Sequence, residues 1–175
     1  MKMPVSIILL FLMMISCEKV EYIPPNTQPV YFEYQYINHA WGYRFEGWLI
    51  DSDGNVRSLN LPDDWKHPDT TKYIGRADLE FNVSQTDSVI AVVGLKELMD
   101  RVALIEGAKD GSFTATEHTA CDFGMSILYA YWYDSTREAY KQIFLAASGD
   151  FTSENESAEA KKLVRWLKRF GVFWL

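Results

Sequence analysis

The chain has 175 residues, of which 48% are hydrophobic and 15% are aromatic, and this composition excludes an intrinsically disordered protein. Its 24 acidic and 17 basic residues give a net charge of −7. An acidic balance argues against a protein that binds nucleic acid or anionic lipid through its overall charge.

The first sixteen residues have the pattern of an export signal. Lys2 is the only charge before an apolar run from Val5 to Ile15, which is shorter than the roughly 20 residues of a membrane-spanning helix. The run closes with Met14-Ile15-Ser16-Cys17, which resembles the lipobox of bacterial lipoprotein precursors. The resemblance implies cleavage before Cys17, lipid on its sulfur and a place in the bacterial cell envelope, facing the periplasm or the cell surface.

This interpretation divides the chain into three parts. Residues 1–16 are a lipoprotein signal peptide, residues 17–29 are a lipidated N-terminus with a flexible proline-containing tether, and residues 30–175 are one globular domain. Two or more acyl chains, at about 0.8 kcal/mol per buried methylene, hold a protein firmly on a membrane. An ordinary secretory signal with a chance cysteine is the alternative. With Cys17 lipidated, only Cys121 remains, so no internal disulfide is expected.

The start of the domain predicts a meander of three strands. VYFEYQYI alternates with period two, placing Val30, Phe32, Tyr34 and Tyr36 on one face and Tyr31 on the other. We predict strands at 30–37, 43–51 and 55–61. Asp53-Gly54 favours a hairpin turn over a calcium loop, because an EF-hand loop needs glycine at its sixth position and glutamate at its twelfth.

Later segments predict a mixture of helices and strands. Residues 76–85 fit a strand or a helix, and this choice stays open. Apolar spacing predicts a helix at 95–109 and a final helix at 156–169. Residues 125–134 predict a central strand covered on both faces. Residues 139–147 predict a returning strand, although their apolar side chains also have the spacing of one face of a helix.

This order predicts an α+β domain, with a mainly antiparallel sheet of about five strands and two or three packed helices. The stretches YFEYQYINHAWGYRFEGWLIDSDG and DFGMSILYAYWYD, with the WLKRF helix, resemble small uncharacterised lipoproteins of the Bacteroidota. The resemblance implies a relative and names no catalytic residue.

Candidate chemical groups are few. His118, Cys121 and Asp122 lie close in sequence and are potential zinc ligands, but a structural zinc site usually needs four ligands in paired short spacings. Cys121 with a histidine base is conceivable as a nucleophile, yet a buried inert thiol is the favoured interpretation. The sequence therefore predicts no catalytic residue, no metal and no cofactor.

Two surface features are candidates for binding. The aromatic density near the start of the domain could serve a partner protein or a glycan, because Tyr and Trp combine a large apolar face with a polar group. In a strand pair half of these rings should point into the core, and that interpretation accounts for most of the density. We predict an exposed patch formed by Tyr31, His39, Trp41 and Tyr43. The final helix carries a basic stripe, which is more typical of a solvated face than of an anion or partner site. Its members are Lys161, Lys162, Arg165, Lys168 and Arg169.

Three classes of function remain. The favoured one is a lipid-anchored envelope protein that binds a partner protein or glycan without catalysis. A small hydrolase-like envelope enzyme is the second, and it needs polar groups near Asp122 to converge in a pocket. The third is an inhibitor or immunity lipoprotein, which the sequence does not separate from the first. Beyond the lipid on Cys17, no membrane or nucleic-acid contact is predicted.

Overall fold

The computed structural model describes residues 28–171. The predicted signal peptide, Cys17 and most of the predicted tether lie outside the described residues. The described chain begins at Gln28, which is buried and whose Nε2 donates hydrogen bonds to the carbonyl oxygens of Val30, at 2.7 Å, and Tyr131, at 2.6 Å. Gln28, two residues before the predicted start of the domain, therefore already makes tertiary contacts.

The described residues form an α+β domain with nine strands, three helices of eight residues or more, and one short helix. In chain order these are β1 Val30–Asn38, β2 Arg44–Asp51, β3 Asn55–Asn60, β4 Tyr73–Ile74, α1 Arg76–Ser84, β5 Val89–Val92, α2 Leu95–Val102, α3 Ile105–Ala108, β6 Glu117–His118, β7 Met125–Asp134, β8 Ala139–Gly149, β9 Phe151–Glu154 and α4 Ala158–Leu167. A 3-10 turn, Lys168–Phe170, extends α4. In the part of the chain described, no helix has the length and apolar character needed to span a membrane.

The strands form one antiparallel sheet in the order β5-β3-β2-β1-β7-β8-β9-β6, and β4 pairs with β8 beside this path. Strands β1 and β7 lie at its centre and pair with each other from Phe32 opposite Ala130 to Ile37 opposite Met125. β1 is buried on both faces along most of its length, whereas β7 is only partly covered on one face, by which it lines an open part of the sheet. The central position predicted for residues 125–134 is confirmed, but the prediction that both faces of this strand are covered is wrong.

One face of the sheet packs against α2, α3 and α4. Phe32 contacts Trp166 of α4 edge to face, with ring centroids 5.3 Å apart, and Tyr34 lies against Trp48 of β2 at 5.6 Å. The main core continues into these helices through residues buried to 2% exposure or less: Leu98, Ile105, Ala108, Leu163 and Leu167. Removing this much apolar surface from water is the largest favourable term in folding.

A bulge at the start of β1 changes the expected faces of two residues. The register of β1 against β2 shifts between Val30 and Phe32. Tyr31 therefore joins the main core beside Phe32, whereas Val30 packs into a smaller cluster with Leu49 and Tyr131. The alternation predicted for Phe32, Tyr34 and Tyr36 is correct, but the faces predicted for Val30 and Tyr31 are wrong because the extra residue of a bulge reverses the parity of the strand.

The opposite face of the sheet is covered over only part of its area. Helix α1 closes the smaller cluster, in which Ile74 and Leu79 pack against Tyr131 and Tyr140, with Trp65 at its margin. Beyond this cluster, β7 and β8 present Tyr129 and other side chains that helix α1 does not cover.

Most of the predicted elements are present, with several differences. The first three strands, the strand at 139–147 and the final helix are confirmed, and residues 76–84 are helical. The predicted helix 95–109 is wrong in its continuity, because it breaks after Val102 and restarts as α3 at Ile105. The sheet has more than the expected five strands. The additional short strands, β4, β5, β6 and β9, contain two to four residues each and give little periodic signal.

The predicted turn at Asp53-Gly54 joins β2 and β3, and it depends on Asp51. The Asp51 carboxylate accepts hydrogen bonds from the backbone N–H groups of Asp53 and Asn55, each at 2.9 Å, and from Arg57 Nε at 2.6 Å. Gly54 has φ +84°, in the left-handed region that favours glycine. A Cβ on Gly54 would lie 2.2 Å from the carbonyl oxygen of Val93.

We predict that Gly54→Ala lowers the free energy of unfolding by about 1–3 kcal/mol, because it adds both left-handed strain and a backbone clash. Urea unfolding measures the change. Gly94→Ala is the control, since Gly94 has negative φ and no atom within 4 Å of its added Cβ, and its loss should be the smaller one. Equal losses in the two variants would contradict this account of the turn.

Candidate functional site

An apolar groove of about 800 Å³ lies on the part of the sheet that α1 leaves open. Its floor consists of alternate residues of β7, Met125, Ile127 and Tyr129, together with Phe144 of β8. Tyr129 is paired with Phe144 and Ile127 with Ala147, so these side chains share one face of the sheet. The groove therefore follows directly from the alternation of two neighbouring strands.

The groove opens at the outer edge of β8, between the part of this edge that pairs with β4 and the part that pairs with β9. β4 pairs with β8 at Tyr140 and Lys141, and β9 pairs with it at Ala146 and Ala147. Between these contacts, Gln142 N donates to the carbonyl oxygen of Lys72 at 2.8 Å, and the Asn155 backbone N–H donates to that of Leu145 at 2.9 Å. Because β4 and β9 are too short to meet, a gap remains between them along the edge.

Phenylalanines form the walls at the mouth of the groove. Phe113, on the segment between α3 and β6, contacts Phe144 edge to face at 5.6 Å, and Phe151 of β9 stands on the same rim. Phe113 and Phe151 are 54% and 46% exposed, so large apolar surfaces face solvent at the entrance. Polar side chains of the rim come from both ends of the groove: Lys72, Lys109, Lys141, Gln142, Thr114, Thr116, Thr152 and Ser153.

A buried polar cluster lies beside the groove floor. Glu33 is 1% exposed, and its carboxylate oxygens accept hydrogen bonds from Tyr131 Oη, from Gln35 Nε2 at 2.6 Å and from the Trp65 side chain. Gln142 lines the groove and donates from Nε2 to Tyr131 Oη at 3.1 Å. Gln142 thus connects the groove to the buried carboxyl group.

Burial dominates the ionisation of this cluster. Desolvation raises the pKa of Glu33 above its ordinary value, although hydrogen bonds from Tyr131, Gln35 and Trp65 act in the opposite direction. Desolvation and the nearby Glu33 raise the pKa of Tyr131 well above its ordinary value, and the same two causes raise the pKa of Tyr129. Burial therefore favours the protonated forms of Glu33, Tyr129 and Tyr131.

Three of the four residues predicted to form a binding patch lie together and are exposed. His39, Trp41 and Tyr43 occupy the tip of the β1–β2 hairpin, where Trp41 is 82% exposed and the rings of His39 and Tyr43 are 5.1 Å apart. Asn38, at the base of the hairpin, donates from Nδ2 to the carbonyl oxygen of Asp122 at 3.1 Å. Whether this tip binds a partner stays a prediction.

Tyr31 does not belong to this patch. It is 5% exposed and lies at the opposite end of β1, eight residues from His39, or roughly 26 Å along an extended strand. The expectation that Tyr31 is exposed is wrong because the bulge after Val30 turns its side chain into the main core.

A second, more polar cavity of about 490 Å³ lies between the hairpin tip and the segment before β7. His39, Asp122 and Asp150 line it, and it shares Met125 and Ile127 with the groove. The Asp150 carboxylate accepts a hydrogen bond from the Phe123 backbone N–H at 2.9 Å. The two cavities form neighbouring parts of one concave surface, with the aromatic hairpin at its end.

His118 and Cys121 lie near each other but at an exposed position. Their Nε2 and Sγ atoms are 3.7 Å apart, and the His118 ring contacts Phe151 at 5.2 Å. Cys121 is exposed, so the expectation of a buried inert thiol is wrong. Within residues 28–171, no three His, Cys, Asp or Glu side chains are grouped as metal ligands would be.

Sequence reasoning did not find the groove, because its walls come from short segments of irregular sequence. Asn155 fixes one wall: its Nδ2 donates to the carbonyl oxygens of Ala108, at 2.8 Å, and Phe144, at 3.2 Å. A Cβ on Gly111 would lie 2.1 Å from Asn155 Oδ1. The only sign of this wall in the sequence was Asn155 itself, which lies three residues before the start of α4, the helix whose N-cap is Ser157.

No protein-family model matches the chain, and no curated protein or solved structure matches it.

We predict that the free energy of unfolding of the wild type falls relative to that of Glu33→Gln as the pH rises from about 4.5 to 8. A folded-state pKa raised above the unfolded value gives stability that is complete at low pH and is lost as Glu33 ionises. Urea unfolding across this range measures the difference between the two proteins.

The control for this prediction is Glu117→Gln, because Glu117 is exposed on β6. Its difference from the wild type should show less dependence on pH than that of Glu33→Gln. A difference between the wild type and Glu33→Gln that stays constant with pH would show that burial does not perturb Glu33.

Proposed function

We propose that the protein is a lipid-anchored component of the bacterial cell envelope, whose domain is a non-catalytic binding module with the apolar groove as its binding site. The groove is the single observation that favours binding most strongly. Its volume lies within the range of about 300–1,000 Å³ that is typical of ligand sites, and its apolar floor with polar groups at the rim has their usual composition.

The shape and chemistry of the groove favour an apolar segment of a partner protein. Exposed Phe113 and Phe151 at the mouth provide surface that becomes buried when a partner is bound. Such aromatic side chains contribute strongly to protein interfaces, because they bury a large area with few rotatable bonds. An inhibitor or immunity lipoprotein would use this surface in the same way, and the identity of the partner separates these roles.

A small hydrolase-like envelope enzyme is the second candidate. The observation that favours it is the second cavity, where His39 and Asp122 face the same space and provide a possible base and acid. The exposed His118–Cys121 pair at 3.7 Å is the other possible source of a nucleophile.

Photo-crosslinking in the producing cells tests the groove. We expect p-benzoylphenylalanine at position 113 or 151 to form a discrete adduct with an envelope protein, because both positions stand at the groove mouth. Mass spectrometry identifies the adduct. The matched control is the same residue at Tyr133, which is 45% exposed and does not line the groove. Equal products at all three positions would contradict the proposal.

Lipid attachment has a separate test. We predict that growth with a fatty-acid analogue labels the wild-type chain and that Cys17→Ala abolishes the label, because the thiol is the proposed attachment point. Cys121→Ala serves as the control and should keep the label. An unlabelled wild-type chain, or one whose N-terminus is intact by mass spectrometry, would overturn the anchor without affecting the groove.

A further inference from the structure

A basic cleft lies on the outer surface of the helical layer, on the opposite side of the sheet from the groove. It has a volume of about 350 Å³ and lies between α2 and α4. Four cationic side chains and one aromatic ring line it: Arg101, Lys162, Arg165, Arg169 and Trp166. This concentration of positive charge contrasts with the net charge of −7 of the whole chain.

The helical spacing of these residues explains why they converge. Lys162, Trp166 and Arg169 are three or four positions apart on α4 and its 3-10 extension, and Arg165 precedes Arg169 by four. Residues at this spacing are neighbours on a helix surface, where like charges repel one another. Arg101 adds a fourth cation from α2. The four cations therefore repel one another, except where nearby carboxylates neutralise them.

The acidic residues nearby neutralise only part of this charge. The Glu97 carboxylate accepts hydrogen bonds from Arg169 at 2.8 Å and from Trp166 Nε1 at 2.9 Å, and the two donors lower its pKa. Glu159 is 3.9 Å from Lys162, at the limit of an ion pair. Among the described residues, no carboxylate lies within ion-pair distance of Arg101 or Arg165, although the charge of Arg101 also acts on Glu97 and lowers its pKa.

Arg101 forms the wall of the cleft on the α2 side. Its Nε is buried and has no hydrogen-bond partner among the described residues. The guanidinium lies over the Trp166 ring, 5.7 Å from its centroid, and Arg169 lies over the same ring at 5.3 Å. Stacking on an aromatic face orients a guanidinium but supplies no acceptor for its N–H groups. The buried Nε is out of reach of solvent, so a ligand in the cleft would meet the parts of Arg101 that line it and not this atom.

We infer that this cleft binds a phosphoryl group. Several arginines provide forked donors that match the oxygens of a phosphate, and a dianion balances the excess positive charge of the four cations over Glu97 and Glu159. The ligand is a phosphate monoester, either a soluble one or the head group of a phospholipid. This inference does not depend on the proposed function of the groove, because the two sites share no lining residue.

The test is a titration of the full chain in a non-ionic detergent with inorganic pyrophosphate, followed through the arginine Nε–Hε signals in nuclear magnetic resonance. Sodium chloride at equal ionic strength corrects for screening. We expect saturable shifts in the wild type, and a dissociation constant at least tenfold larger in Arg101→Gln and in Arg165→Gln. Arg165 is exposed, so its replacement keeps the test valid if Arg101→Gln fails to fold.

Lys161→Gln is the matched control, because Lys161 is exposed on α4 but does not line the cleft. Its affinity for pyrophosphate should stay within twofold of the wild type. Shifts that do not saturate, or an equal loss of affinity in Lys161→Gln, would show general attraction to a basic surface and overturn the inference.

Two further ligands distinguish the sources of the phosphoryl group. Glycerol 3-phosphate and dihexanoyl phosphatidic acid carry the same phosphate monoester, and only the second carries acyl chains. Tighter binding of the phosphatidic acid by tenfold or more supports a lipid head group as the ligand, whereas equal binding supports a soluble ester. Failure of both to bind would contradict the site.

Discussion

The structure depends on one unequal arrangement: the two faces of a central antiparallel sheet are covered to different extents. Helices α2, α3 and α4 close one face over a continuous core, in which Phe32 and Trp166 meet edge to face. On the other face, α1 covers only the end near Tyr131 and Tyr140. A sheet face must bury its apolar side chains against another layer. The uncovered remainder of β7 and β8 therefore forms a groove suited to a partner.

The faces also differ in chemistry. The covered face is apolar, and the charged surface on its far side concentrates around Trp166. The open face combines an apolar groove with the buried carboxyl group of Glu33, which is satisfied by hydrogen bonds within the sheet. The hydrogen bonds of this cluster link side chains of β1 and β7 beneath the groove. The floor of the groove lies on β7 and β8, whereas the exposed phenylalanines of its rim lie on other segments of the chain.

The sequence predicted the features with strong periodicity and missed those made by short segments. The alternation in β1 and the apolar run in β7 identified the two central strands, and Asp53-Gly54 identified their neighbouring hairpin. Local patterns carry no information on the bulge that buries Tyr31, because both register choices place an apolar residue inward. The groove was not predictable either, since the gap between β4 and β9 arises only when distant segments pair with β8.

If a partner occupies the groove in living cells, oxidative footprinting of Met125 reports it. Met125 lies on the groove floor, and Met99, packed against the main core, is the internal reference. We expect hydroxyl radicals to oxidise Met125 several-fold more slowly relative to Met99 in cells than in the purified protein. An unchanged ratio would show that nothing occupies the groove and would contradict the account.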